Sequence, residues 1–188
     1  MSAVPSPGYP AELACDIVTR DGTTLHLRPI RPDDAPGLVE FHASLSQRSV
    51  YRRFFFVHPI LSASEVERFT NVDYISRLAL VVEDDGRLVA VGRYEGTPAS
   101  PEAEVAFVVA DAHQHHGIAT ILLEHLARAG LQRGITTFVA SALAVNRDML
   151  DVFNHSGFTL TTSIEEGVVN VRFPIGPEPP GTTTPGSG

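Results

Sequence analysis

Apolar and polar residues alternate along Glu104-Val105-Ala106-Phe107-Val108-Val109, the period of a half-buried strand. A polar turn follows from Ala110 to His116, and a helix opens at Gly117-Ile118-Ala119-Thr120 and runs to about Arg128. The same reading gives strands at Cys15 to Thr19 and Thr23 to Arg28 around the turn Asp21-Gly22, and at Arg77 to Glu83 and Arg87 to Tyr94 around Asp84-Asp85-Gly86. In the strand from Arg77, Leu78, Leu80 and Val82 share one face and Ala79 and Val81 the other. Ile135 to Ser141 reads as a further strand, mostly buried. A last hairpin pairs Phe158 to Ile164 with Val168 to Phe173.

Helices fill the gaps. One starts at Asp33-Asp34, where negative charge suits a helix N-terminus, and carries Leu38, Phe41, His42 and Leu45 on one face. The aromatic stretch from Leu45 to Phe56 predicts a second short helix packed on the core, with Tyr51, Arg52 and Arg53 as candidates to border an acceptor site. Ser62 and Glu65 have the spacing of a capping box and open a helix through Thr70. Asn146 to Ser156 is a helix stopped by Gly157. The pattern is a mixed α/β class. Residues 1–14 read as a flexible lead-in, 15–175 as one folded domain, and 176–188, almost all Pro, Gly, Thr and Ser, as a frayed end or a linker. The linker is the reading favoured here, with a further domain after residue 188 in a full-length protein.

Charge narrows the function classes. The net charge is −8 over 188 residues, which argues against nucleic acid as a partner, because binding that polyanion requires clustered Lys and Arg. One cysteine, Cys15, supplies neither an internal disulfide nor a thiolate metal cluster. No apolar run reaches the length of a membrane span and no signal-peptide pattern opens the chain, so no membrane role is expected and the cytoplasm is the expected compartment.

The candidate chemistry lies at the strand–turn–helix unit. A tight turn feeding a helix leaves backbone N–H groups unpaired beside the positive end of the helix dipole, a ready pocket for phosphate. The turn Gln114-His115-His116-Gly117-Ile118-Ala119 lacks the Lys-Ser or Lys-Thr of a Walker loop and the glycines of a Rossmann fingerprint. A carboxylate beside such a pocket is a candidate general base, reaching a bound group directly or through one water. Glu104 lies on the central strand, on the face of Ala106 and Val108. The alternatives are that it is a solvent-facing strand-edge carboxylate, or that Glu102 or Asp111 is the base. Four histidines, His113, His115, His116 and His125, invite a metal, but with no thiolate nearby and three of them in the phosphate turn, no metal is expected.

Gln114 to Ala119 matches Gln/Arg-x-x-Gly-x-Gly/Ala and resembles the pyrophosphate loop of the GNAT N-acetyltransferases; the element order resembles their whole fold from about Asp16 to Phe173. That resemblance implies a central, mostly antiparallel sheet flanked by helices, whose family-numbered fourth and fifth strands, here the segments at Glu104 and Ile135, splay apart around coenzyme A. It implies that backbone groups of Phe107, Val108 and Val109 pair with the pantetheine amides, that Gln114, His115, His116, Gly117, Ile118, Ala119 and Thr120 hold the pyrophosphate, and that Asn146 contacts the pantetheine arm. Glu104 matches the family's base, and a backbone N–H around Val108 or Val109 would meet charge on the acetyl oxygen. Two departures stand out: His115 and His116 occupy positions often held by Gly or Arg, and Phe153 replaces the tyrosine that protonates the leaving thiolate. Phe153 would pack against the pantetheine arm.

A narrower resemblance, in Ser49 to Phe55, Asp73-Tyr74 through Tyr94 and Asn146 through Phe158, is to bacterial Pat-type protein lysine acetyltransferases, with actinobacterial members the nearest. It implies acetyl-CoA as co-substrate, no metal, and the catalytic lysine of an AMP-forming acetyl-CoA synthetase as the target that is switched off. The competing expectations are a small-amine or polyamine acetyltransferase and a catalytically weak, coenzyme A-binding regulatory module.

Overall fold

The computed structural model describes residues 8–55 and 57–176. The first seven residues, Phe56 and the 177–188 segment expected to be a tail or linker lie outside the described residues.

Eight strands form one sheet: β1 (Cys15–Val18), β2 (Thr24–Pro29), β3 (Arg77–Asp84), β4 (Arg87–Gly96), β5 (Glu102–Val109), β6 (Thr137–Leu143), β7 (Thr161–Glu165) and β8 (Val168–Pro174). Their order across the sheet is β1-β2-β3-β4-β5-β6-β8-β7. Every pairing is antiparallel except β5 with β6. The helices are α1 (Ala35–Ser44), α2 (Gln47–Phe54), α3 (Ala63–Thr70), α4 (Ile118–Gln132) and α5 (Arg147–Asn154). This is the mixed α/β sheet architecture expected from the alternation, with strand ends moved by about two residues at β5, β6 and β7.

The alternation in β3 and β5 divides the interior in two. Leu78, Leu80 and Val82 of β3, with Val105 and Phe107 of β5, enter a core closed by Ile118, Leu122, Leu123 and Leu126 of α4 and Phe153 of α5. Ala79 and Val81 face the other way, into a smaller core closed by Leu38 and Phe41 of α1 and Leu61 just before α3. Val108 packs against this second core. Helix α4 approaches β4 closely because Gly92 has no side chain: a Cβ there would lie 3.0 Å from the Phe107 ring and 3.2 Å from Leu122 Cβ. The described part of the expected lead-in is docked. Tyr9 donates its hydroxyl to the Pro29 carbonyl at 3.1 Å and stacks edge-on to Tyr74, and Tyr9 and Leu13 pack against the larger core. An aromatic ring with one polar end is sufficient anchor for such a segment.

The feature that makes the site is the brevity of the parallel pairing. Only Glu102, Ala103 and Glu104 of β5 pair with Thr137, Phe138 and Val139 of β6. Beyond Glu104 the two strands separate, β5 remaining bound to β4 as far as Val109 and β6 to β8 as far as Leu143.

Candidate active site

The separation opens a cleft of about 620 Å³, within the range that encloses a cofactor-sized ligand. Its β5 wall has free peptide groups. The Ala110 N–H donates to the Val89 carbonyl at 2.8 Å, and antiparallel pairing alternates direction residue by residue. In that register Val108 turns its peptide groups toward β4. Ala103 and Val105 make the last rung to β6; past it Phe107 and Val109 turn their peptide groups into the gap, where the Val109 carbonyl takes the Gln114 amide. Val108 therefore does not offer the peptide contacts the family resemblance implies, and of the two candidate donors for an acetyl oxygen, Val109 has the N–H on the open side.

Glu104 lines the cleft at the point where the strands part, on the same face as Ala106 and Val108. It is solvent-exposed on the strand. Neither alternative base lines this cleft. Glu102 pairs with Arg172. Asp111 accepts hydrogen bonds from the Ser46 N–H and hydroxyl and from the Ser49 hydroxyl; burial opposes its ionisation, but those bonds outweigh it and hold the carboxyl below the usual range. Helix α2 forms a further wall. Arg52 and Arg53 line the cleft with Phe54 and Phe55, whereas Tyr51, the third residue expected to border it, is exposed and does not line it. Arg52 donates to Asp148 of α5 at 3.0 Å, across the mouth. Arg53 lies over the Phe54 ring, its guanidinium 4.9 Å from the centroid. Burial pushes its pKa down, with Glu104 and Glu95 opposing.

At the far end the cleft reaches the N-terminus of α4. Gly117 is the residue before the helix, with φ +87° in the left-handed region, and no side chain caps this end. Ile121 is the first residue whose N–H returns to the loop, to the Gly117 carbonyl at 3.1 Å, leaving the N–H groups of the first turn without intrahelical partners. Gln114, His115, Gly117, Ala119 and Thr120 line the cleft here. The Gln114 side chain is turned inward, donating to the Val109 carbonyl and the Ser49 hydroxyl, both at 3.1 Å; it ties the loop to the end of β5 and to α2. Ile118 also borders the cleft, but its side chain is buried in the core. His116 does not line the cleft: its ring is 2.9 Å from Asp21. Asp21 is held down to about pKa 2, first by the Thr19 hydroxyl and then by the Thr23 N–H. His115 faces Asp148 at 3.9 Å.

Asn146 is buried and lines the cleft, its amide oxygen accepting from the Met149 N–H at 3.4 Å as the cap of α5. Phe153, 2% exposed, stands between Phe107 and Phe173 at centroid distances of 6.3 and 5.8 Å. It is a wall of the cleft and has no proton to give. Among the described residues no three potential ligands gather at a metal-binding distance, and no helix is long and apolar enough to cross a membrane.

One lining residue had no signal in the sequence. Arg20, in the turn between β1 and β2, lies across Gly117: a Cβ on Gly117 would meet Arg20 Nε at 3.2 Å and Cγ at 3.3 Å. Its neighbourhood to the loop comes only from the tertiary fold.

The residues present fit an extended, phosphorylated acyl carrier in three respects: a free strand edge for amides, an uncapped helix end for phosphate, and a carboxylate where the two walls meet. Comparison with known proteins agrees. The sequence model of the acetyltransferase (GNAT) family matches residues 47–158. An acetyltransferase of Pseudomonas aeruginosa is 30% identical over 144 residues, 73% of this chain and 76% of that protein. The acetyltransferase Pat of Mycolicibacterium smegmatis is 30% identical over 173 residues, 90% of this chain but 50% of that protein, so the chain spans half of its length. The crystal structure of the GNAT domain of S. lividans PAT superposes with a TM-score of 0.84 at 44% identity, covering 88% of this chain and 99% of that one. With its family motif, its divided sheet and these relatives, the chain belongs to the GNAT family of acetyltransferases.

Proposed function

We propose that this acetyltransferase acetylates a lysine side chain of a protein, with Glu104 as general base and direct transfer from acetyl-CoA while both substrates are bound. GNAT acetyltransferases use acetyl-CoA, which supplies the activated acetyl group. The observation that carries the reading is Glu104 itself: of the three candidate carboxylates it alone lines the cleft, at the parting of β5 and β6. The carboxylate takes the proton of the incoming ammonium directly or through one water. The Val109 N–H, on the open side of β5, is the donor assigned to the charge that gathers on the acetyl oxygen. Phe153 offers no acid, and a thiolate leaves tolerably well without one.

The acceptor wall favours protein over polyamine. A polycation needs a pocket rich in carboxylates, whereas the wall beside Glu104 carries Arg52 and Arg53. The similarity to mycobacterial Pat and to S. lividans PAT supports the Pat-type target, the catalytic lysine of an AMP-forming acetyl-CoA synthetase, whose acetylation would switch it off. The test is transfer of labelled acetyl to a purified synthetase, with the site located by mass spectrometry. One lysine should be modified, and Glu104→Ala should lower the rate about a hundredfold or more with coenzyme A binding retained. Transfer unchanged by Glu104→Ala removes the base assignment. Coenzyme A binding with turnover only on small amines removes the protein acceptor, and binding with no turnover on any amine leaves a regulatory module.

A further inference from the structure

The loop between β5 and α4 contains no Lys or Arg from Ala110 to Thr120. Of its two histidines beside the motif glycine, His116 is paired with Asp21 outside the cleft and His115 faces Asp148. A helix end carries only a fraction of a charge, while the phosphates of the carrier bring several negative charges. The loop by itself is short of cations.

Arg20 is placed to supply one. Its main-chain N–H donates to the His116 carbonyl at 3.0 Å, which fixes the turn of the first hairpin against the loop. Its side chain then runs over Gly117, in van der Waals contact range of the space where any other residue would carry a Cβ, and lines the cleft. Among the described residues its guanidinium has no hydrogen bond and no ion pair. The nearest acid in sequence, Asp21, is committed to Thr19, Thr23 and His116. An arginine held beside the positive end of a helix with no carboxylate to answer it is unfavourable in the free protein. The same arrangement becomes favourable once an anion sits between the guanidinium and the free N–H groups.

We propose that Arg20 is a phosphate-binding residue of the coenzyme site, closing over the open end of α4 and providing from the first hairpin the cation that the loop lacks. The inference rests on reading the cleft as a coenzyme A site and adds a residue to it. The left-handed glycine acquires a second reason: Gly117 satisfies φ +87° and also leaves room for the arginine. Two anionic groups of the carrier share this chemistry, the pyrophosphate and the ribose 3′-phosphate.

Direct binding separates the possibilities without needing an acceptor. Coenzyme A and 3′-dephospho-coenzyme A are titrated calorimetrically into the wild type, Arg20→Ala and Arg20→Lys. The Kd for coenzyme A should rise about tenfold in Arg20→Ala, the scale of a charged hydrogen bond in partial solvent, with part of the loss recovered in Arg20→Lys. The gap should narrow as salt is raised. A loss seen with both ligands assigns Arg20 to the pyrophosphate; a loss seen only with coenzyme A assigns it to the 3′-phosphate. Equal affinity of wild type and Arg20→Ala for both ligands overturns the proposal while leaving the coenzyme site intact. So does a loss that ignores salt and tracks a lower unfolding temperature of the ligand-free protein, which would mean packing. Failure of the wild type to bind either ligand overturns the coenzyme reading and Arg20 with it.

Discussion

The N-termini of α3 and α4 present the same set of unpaired N–H groups, and the chain treats them in opposite ways. At α3 the groups are answered internally. Ser62 accepts from the Glu65 N–H at 3.3 Å, and Glu65 accepts in return from the Ser62 N–H at 2.8 Å. At α4 the flanking residue is Gly117, which has nothing to offer, and the end opens on a cleft. A closed end contributes to stability. An open end led by glycine forgoes only about a few tenths of a kcal/mol of capping and retains its capacity to hold an anion. The difference marks where the molecule is built to stand and where it is built to bind.

Closing the open end should produce the largest effect. Gly117→Asp would place a carboxylate within reach of Arg20 and in the space of the ligand's phosphate. Coenzyme A affinity measured by calorimetry should fall at least about a hundredfold, while stability measured by denaturant unfolding falls by only the roughly 1–2 kcal/mol that a left-handed non-glycine residue costs. Retained affinity would mean that the end of α4 is not the phosphate site.

A third helix end, that of α2, joins the two. Its cap Ser46 and the following Ser49 are held by Asp111, and Gln114 of the loop reaches the same Ser49. Asp111→Asn should cost about 1–2 kcal/mol in chemical denaturation and, because α2 carries Arg52 and Arg53, raise the KM for the acceptor more than that for acetyl-CoA. The folded-state pKa of Asp111 is depressed, so its contribution is complete above the unfolded value near 3.9 and is lost as pH falls through the lower folded value. Opening the closed end gives the smallest change. Ser62→Ala should remove about 1 kcal/mol of stability and leave coenzyme A affinity as it was. Glu65 is also held below its usual pKa, first by the Ser62 N–H and then by its hydroxyl. The destabilisation should therefore shrink when thermal melts are repeated as pH falls through the lowered folded value of Glu65, because the Ser62 hydroxyl then loses a charged acceptor.

Much of this was legible because it is local. The capping box at Ser62, the three hairpin turns and the alternation from Glu104 to Val109 depend on residues a few positions apart, and each appears in the structure where the spacing puts it. What escaped depends on residues that only the fold brings together. Arg20 reads as one member of an Arg-Asp-Gly turn until β1 and β2 are laid beside the loop. Gln114 reads as part of a phosphate cradle, but its amide turns inward because the Val109 carbonyl lies on the open side of β5 and needs a donor. Ile135 reads as strand, yet its N–H closes the end of α4 on the Gly130 carbonyl and β6 begins at Thr137. Residues 9–13 read as untethered because the aromatic partner of Tyr9 lies far along the chain.

The brief pairing of β5 with β6 gives the sheet two inner borders besides its outer ones. A bare strand border is ordinarily a template on which another chain can add and begin to aggregate, and proteins blunt such borders with charge, proline or a bulge. The stretch from Val105 to Val109 has none of these. It is shielded by its surroundings: α2 and α5 stand on either side, joined over the gap by Arg52 and Asp148. A cleft of about 620 Å³ has the capacity of one small ligand and not of another protein's sheet, so the fold turns an aggregation hazard into a selector of molecular size.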